Sequence, residues 1–274
     1  MKIDLHVHTN RSDGAFSPEE ITDMAVAASI ELLAITDHDT IVGSEEATAY
    51  AEGKPIRIIP GIELSTYAGD RQVHLLGYGV DFKSSVLADA LEGQKKARLE
   101  RNESILGNLA RLGMKLDYEE VAANALGTIG RKHIAEAMVR RGYVKSINEA
   151  FGVYLGEGGK AFASGIRLKP EEGVELLVKS GAVVVLAHPC KIKMNARELK
   201  EFVLSLKESG LSGMESDYFA QTYEKRQEMR RIAAGADLSV TGGSDFHSFG
   251  SAVALGECNC RLSERALKAL GAGK

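Results

Sequence analysis

The chain has 274 residues, 44% of them hydrophobic and 26% charged, the proportions of an ordinary folded protein rather than a disordered or fibrous one. A net charge of −4 argues against electrostatic capture of long nucleic acid, and no apolar run approaches membrane-spanning length. Three cysteines (Cys190, Cys258 and Cys260) without metal-finger spacing support neither a disulfide framework nor a thiolate metal site, and the apolar segment that follows Met1-Lys2 leaves no room for a signal peptide, so a cytoplasmic location is expected.

Short β-rich segments alternate with amphipathic helical ones, the pattern of βα units closing around a parallel sheet or barrel. The first strand is expected from Ile3 to Val7. Ser17-Pro18-Glu19-Glu20 then combines an N-cap serine, a proline in the first helical turn and a glutamate three residues after the cap, which starts a helix running to about Ala28. Strands follow from Leu32 to Thr36, Arg57 to Leu64 and Val73 to Val80. From about Ala88 to Gly165 strand patterning gives way to helical periodicity. Leu99, Ile105, Leu106, Leu109 and Leu112 form a stripe ended by Gly113, short helices are capped at Asp117 and Ser146, and another opens near Arg131. The glycines from Gly156 to Gly159 read as a return loop. Lys169-Pro170-Glu171-Glu172 starts a helix that Ser180-Gly181 should end, and strands are expected from Ala182 to Ala187, Leu211 to Glu215 and Leu238 to Thr241. The organisation is therefore a first barrel part (1–87), an inserted helical subdomain (88–165) and a second barrel part (166–274).

Six of the seven histidines lie at or just beyond these strands. His6 and His8, two apart on an extended segment, project to one face, and Asp13 follows in the next loop. Asp37-His38-Asp39 closes the second strand, Glu63 lies near the end of the third, His74 is in the fourth, His188-Pro189 ends the fifth, and Asp245-Phe246-His247 follows the last. Parallel barrels gather reactive groups at the C-terminal ends of their strands. Any one histidine taken singly is more often a hydrogen-bonded core group, but the joint pattern reverses that reading. A mixed nitrogen and oxygen set suits manganese, iron or zinc, and it is too large for one ion, so two or three divalent ions are expected.

Asp4-Leu5-His6-Val7-His8-Thr9 with Ser12-Asp13-Gly14, then Thr36-Asp37-His38-Asp39, Gly61-Ile62-Glu63, His74, Ala187-His188-Pro189 and Ser244-Asp245-Phe246-His247 closely resemble the polymerase and histidinol phosphatase (PHP) family. The resemblance implies an α/β fold, a distorted (β/α)7 TIM-like barrel, here with a small inserted helical subdomain. It also implies a trinuclear centre, with one ion on His6, His8, Glu63 and Asp245, a second on Glu63, His74 and His188, and a third on Asp13, His38 and His247. Within the family the chain is similar to the stand-alone nucleoside 3′,5′-bisphosphate phosphatases and 5′-to-3′ exoribonucleases. Gly130-Arg131-Lys132-His133 resembles the insert motif of that branch, which usually reads Gly-Arg-Pro-His. Arg131 and His133 are thereby expected to contact substrate phosphate, with Lys160 adding a point charge. In Glu215-Ser216-Asp217-Tyr218-Phe219, Tyr218 matches an aromatic position of the family and is a candidate substrate contact, with packing the equal alternative because Asp217 departs from the pattern.

The expected chemistry is hydrolysis of a phosphomonoester by a hydroxide generated on the metals, with no covalent intermediate and with no leaving-group acid identifiable. Asp37 and Asp39 are expected to orient histidines. The expected substrate is small, a nucleotide or short oligonucleotide, with the 3′-phosphate of a nucleoside 3′,5′-bisphosphate favoured by the insert motif. Short-RNA exonuclease activity, histidinol-phosphate hydrolysis and a metal-stabilised interaction domain are the alternatives.

Overall fold

The apolar run at the start of the chain forms strand β1 (Ile3–Val7), every residue of which is buried. In this computed structural model the described residues are all except 70, 124–128, 165–167, 219–220, 252, 259, 261 and 272–274. They divide into two compact units, Met1–Ala88 with Leu168–Lys274, and Asp89–Arg167. The boundary expected at 165–166 lies outside the described residues.

The first unit is a seven-stranded barrel-like sheet in sequence order, with β2 (Leu32–Ile35), β3 (Arg57–Ala68), β4 (Arg71–Tyr78), β5 (Val183–Leu186), β6 (Gly213–Tyr218) and β7 (Ser239–Gly243). A parallel bridge between Val7 and Phe246, with the His8 N–H donating to the Phe246 carbonyl at 3.0 Å, brings the two ends of the sheet together. Helices flank it: α1 (Pro18–Ala27), α2 (Val42–Tyr50), α7 (Pro170–Lys179), α8 (Ala196–Glu208), α9 (Tyr223–Gly235) and α10 (Glu264–Ala269). The start of α1 is the expected capping box, in which Ser17 Oγ accepts the Glu20 N–H and Glu20 accepts the Ser17 N–H.

The two faces of β2 show why its sequence is a continuous apolar run. Leu32 and Ala34 pack with Leu5, Ile59, Leu76 and Val185, whereas Leu33 and Ile35 pack with Ile21 and Ala25 of α1. Both faces are buried, as in parallel sheets covered by helices.

One expectation needs correction. The sheet is not wholly parallel, because β4 runs antiparallel to both β3 and β5. Only two residues separate β3 from β4, Gly69 adopts φ +60°, and a link of that length makes a hairpin, whereas a parallel crossover needs a dozen residues or more. The hairpin reaches beyond the expected strand ends because the backbone ladder continues through Ser65–Ala68 and Arg71–Gln72, where the apolar signal has faded.

The second unit contains most of α3 (Ser85–Arg111), then α4 (Tyr118–Ala122), α5 (Arg131–Arg140), α6 (Ile147–Ala150) and a π-helical turn at Phe151–Leu155. Ile105, Leu106 and Leu109 of the expected stripe enter its core with Met114, Ile134, Met138 and Leu155. Leu99 and Leu112 do not; both are exposed, so the buried face of α3 is narrower than the stripe read from sequence.

Candidate metal centre

β1 ends at Val7 and leaves His6 and His8 with ring centroids 5.2 Å apart. Glu63 of β3 stands at the centre of the cluster. Its Oε2 is 3.2 Å from Nε2 of both His6 and His8 and 3.1 Å from His38 Nδ1, while Oε1 is 2.9 Å from His74 Nδ1 and from His188 Nε2. His74 reaches this end of the barrel because β4 is antiparallel. Its N-terminal half lies where the parallel strands end, and His74 pairs in register with Ser65. On the far side of His8, Asp13 Oδ1 lies 3.2 Å from His247 Nε2 and 3.9 Å from His8 Nδ1.

All nine expected ligands therefore converge. They form four overlapping groups able to hold an ion: His8, Asp13, His38 and His247; His6, His8 and Glu63; His6, His188 and Asp245; His38, Glu63 and His74. His8 joins the group expected around Asp13, its Nδ1 lying 3.9 Å from Asp13 Oδ1.

Whether divalent ions suit this set is tested by the buried atoms themselves. His6 Nε2, both ring nitrogens of His8, Asp13 Oδ1, His38 Nδ1, Glu63 Oε2 and His188 Nδ1 are shielded from solvent without a properly aligned hydrogen-bond partner among the described residues. Buried polar atoms left in that condition are rare and costly, and their concentration in one cluster of imidazoles and carboxylates fits ions as the missing partners. Burial, reinforced by the neighbouring His8 and His74, pushes His38 down to about 3 against the pull of Glu63, which keeps a lone pair available for a metal. Burial would raise the Glu63 carboxyl, but His38, His74 and His6 outweigh it and hold the group well below the usual carboxylate range.

The supporting shell differs from the sequence reading. Asp37 accepts from Thr9 N at 2.7 Å and from Thr9 Oγ1 and Ser12 Oγ at 2.6 Å, and Asp39 Oδ1 accepts from Ser65 N at 2.7 Å. Asp37 thereby fixes the loop that carries Asp13, and Asp39 ties the loop after β2 to β3. A histidine orienter that the sequence reading missed is Glu215, buried on β6: Oε1 lies 3.1 Å from His6 Nδ1 and Oε2 accepts the His188 N–H at 2.7 Å. A charged residue inside a fully buried strand was the available signal for it. Asp4 ties the other side, accepting from Ser244 N at 2.9 Å and Gly256 N at 2.8 Å. Three residues of the site, Asp39, His188 and Asp245, have positive φ (54°, 24° and 51°), a conformation that persists only where the surroundings enforce it. Close packing also dictates Gly243, where a Cβ would overlap the Cβ of His6.

Tyr218, at the family's aromatic position, is buried and its hydroxyl donates to Asp245 Oδ2 at 2.9 Å. Arg131, His133 and Lys160 belong to the second unit. There His133 Nδ1 accepts the Gly130 N–H at 3.1 Å at the start of α5, Arg131 Nη1 donates to the Leu155 carbonyl at 3.4 Å, and Lys160 Nζ lies 5.9 Å from the Tyr154 ring centroid.

Imidazoles and carboxylates converging at the mouth of an α/β barrel make this a metal-dependent hydrolase. Residues 4–226 match the PHP domain family. The chain is 34% identical over 246 residues to a 5′-3′ exoribonuclease of Haemophilus influenzae (90% of each chain) and 33% identical over 253 residues to a 3′,5′-nucleoside bisphosphate phosphatase of Chromobacterium violaceum (90% of this chain, 88% of the relative). Among solved structures, an amidohydrolase from Chromobacterium violaceum with bound sulfate and no metal superposes with a TM-score of 0.85 at 31% identity, covering 98% of this chain and 97% of the other. The chain belongs to the PHP family and is a metal-dependent phosphoesterase. No helix among the described residues is long and apolar enough to cross a membrane.

Proposed function

We propose that the protein removes the 3′-phosphate of a nucleoside 3′,5′-bisphosphate. The observation that carries the hydrolytic part is the Glu63-centred cluster, in which both carboxylate oxygens face histidines from four different strands or strand ends. In the assignment proposed, one ion would be held by His6, His8, Glu63 and Asp245, a second by Glu63, His74 and His188, and a third by Asp13, His38 and His247. When bound, such ions activate water and neutralise charge developing on phosphoryl oxygens. The protein groups supply position: Glu215 fixes His6 and the backbone of His188, and Asp37 fixes the loop that carries Asp13.

The substrate part of the proposal is supported by similarity to the bisphosphate phosphatase and by the start of α5, where Arg131 and His133 occupy the first turn of a helix, a location that favours anions. Arg131 is assigned the second phosphate, with Lys160 as an additional cation. A compact substrate agrees with a net charge of −4. Similarity to the exoribonuclease supports a second reading, stepwise hydrolysis of short RNA from its 5′ end.

The test is phosphate and nucleotide release over adenosine 3′,5′-bisphosphate, short 5′-phosphorylated RNAs, histidinol phosphate and a generic phosphomonoester. Arg131→Ala is expected to lower kcat/KM for the bisphosphate ten- to a hundredfold relative to the generic ester, about the value of one charge-assisted bidentate contact. An unchanged ratio removes Arg131 from recognition. Mononucleotide release from RNA with no turnover of the bisphosphate selects the second reading.

A further inference from the structure

The carboxylate of Asp245 is held asymmetrically. Its Oδ1 faces the histidine cluster, 3.5 Å from His6 Nε2 and 3.3 Å from His8 Nε2. Its Oδ2 instead accepts two hydrogen bonds, from Lys191 Nζ and from the Tyr218 hydroxyl, each at 2.9 Å. The two donors also support one another: Tyr218 is 2% exposed, and Lys191 Nζ lies 4.9 Å from the centroid of its ring. They arrive from different strand ends. Tyr218 closes β6, and Lys191 belongs to the 3-10 turn after His188, whose carbonyl accepts the Lys191 N–H at 2.9 Å. Asp245 itself sits at φ +51°, in the left-handed region.

An unrestrained carboxylate beside a divalent ion is free to chelate through both oxygens. One whose outer oxygen is tied by a phenol and an ammonium is not, because turning it would break two hydrogen bonds, one of them charge-assisted. We propose that Tyr218 and Lys191 form a clamp that restricts Asp245 to coordination through Oδ1, which leaves a coordination position free for water or a phosphate oxygen. Both are positioning residues, and the inference rests on the assignment of Asp245 as a metal ligand. The clamp also couples three strand ends: a displacement of the turn after His188 pulls on Asp245 through Lys191.

The experiment uses zinc-loaded protein and infrared difference spectra against the metal-free form, in which the separation of the two carboxylate stretches narrows when a one-oxygen ligand becomes a two-oxygen one. Asp245→Ala identifies the band. The variants are Tyr218→Phe, which keeps the ring, Lys191→Met, which keeps the stem, and the pair together, with Lys191→Arg as the conservative rescue. The double variant is expected to load zinc, to show a narrowed Asp245 splitting and to lose turnover about tenfold or more, with the two single effects non-additive. Lys191→Arg is expected to keep the wild-type splitting. A double variant with the wild-type splitting at full zinc loading, or one that fails to load zinc, overturns the clamp. If instead Asp245→Ala removes no band and binds zinc as wild type does, the ligand assignment fails and the clamp falls with it.

Discussion

Replacing Glu215 by Gln keeps the size of the side chain and removes its ability to accept at both ends. In the native protein Oε1 faces His6 Nδ1 at 3.1 Å and Oε2 accepts the His188 N–H at 2.7 Å. With an ion on Nε2, which faces Glu63 and Asp245, this arrangement would hold the His6 proton on Nδ1 and leave the Nε2 lone pair for the metal. The amide oxygen of Gln can occupy only one of the two places. If it accepts from the His188 N–H, the amide NH2 faces His6 Nδ1, the imidazole proton moves to Nε2, and the nitrogen that should hold a metal no longer has a free lone pair. If it accepts from His6, the NH2 meets the His188 N–H, donor against donor. Either way one charge-assisted hydrogen bond is lost at a site with no solvent, worth about 1.5–3 kcal/mol, or roughly ten- to a hundredfold in metal affinity. The assay is competition for zinc or manganese between a chromogenic chelator and the metal-free protein, with circular dichroism as the control for folding. A folded Glu215→Gln variant with wild-type metal affinity would refute the tautomer argument.

Glu63→Gln is expected to lower the metal content of the purified protein by more than one equivalent, measured by elemental analysis, because both oxygens face imidazoles; Cys190→Ser, which alters a residue outside the four ligand groups, should leave the content unchanged. The wild-type protein should purify with about two to three equivalents of transition metal, and chelation should abolish phosphoester hydrolysis until metal is restored. Gly243→Ala should push β7 away from β1, lowering the melting temperature of the metal-free protein by the equivalent of about 1–3 kcal/mol and weakening metal binding as well; an unchanged melting temperature would show that the contact with His6 relaxes.

Most of the residues that converge on Glu63 were legible because they sit in short motifs at or near strand ends, where periodicity and residue type point the same way: His6 and His8 on one strand face, Asp245 and His247 after the last strand. The direction of β4 was missed although the eight residues between the expected strands are too few for a parallel crossover. The extent of the hairpin was not legible, because it depends on backbone pairing through Ser65–Ala68 and Arg71–Gln72, beyond the apolar runs. Glu215 escaped for a related reason. The β6 to β7 register shifts between Glu215 and Asp217, so two carboxylates only two positions apart serve different partners, Glu215 meeting His6 while Asp217 forms a bidentate pair with Arg230 of α9. Strand alternation would place both on one face. The narrower buried face of α3 was hidden because Leu99 and Leu112 satisfy a helical stripe whether or not anything packs on them.

The hairpin and the seam between β1 and β7 also give the metal centre an order of assembly. Glu63 and His74 are 11 residues apart and meet through one tight turn, whereas His6 finds Glu215 only after 209 residues have been arranged. Loop-closure entropy alone separates those two events by roughly 2–3 kcal/mol. A growing or unfolding chain therefore holds one pair of ligands almost for nothing, while Asp245 and His247 are made last and reach His6 and His8 only when the sheet closes on itself. An ion held by ligands from both ends would act as the fastener of the barrel, adding about 2.7 kcal/mol to the closed form at a hundredfold excess over its dissociation constant. Metal supply then decides how much of the protein stays shut as well as how much of it is active.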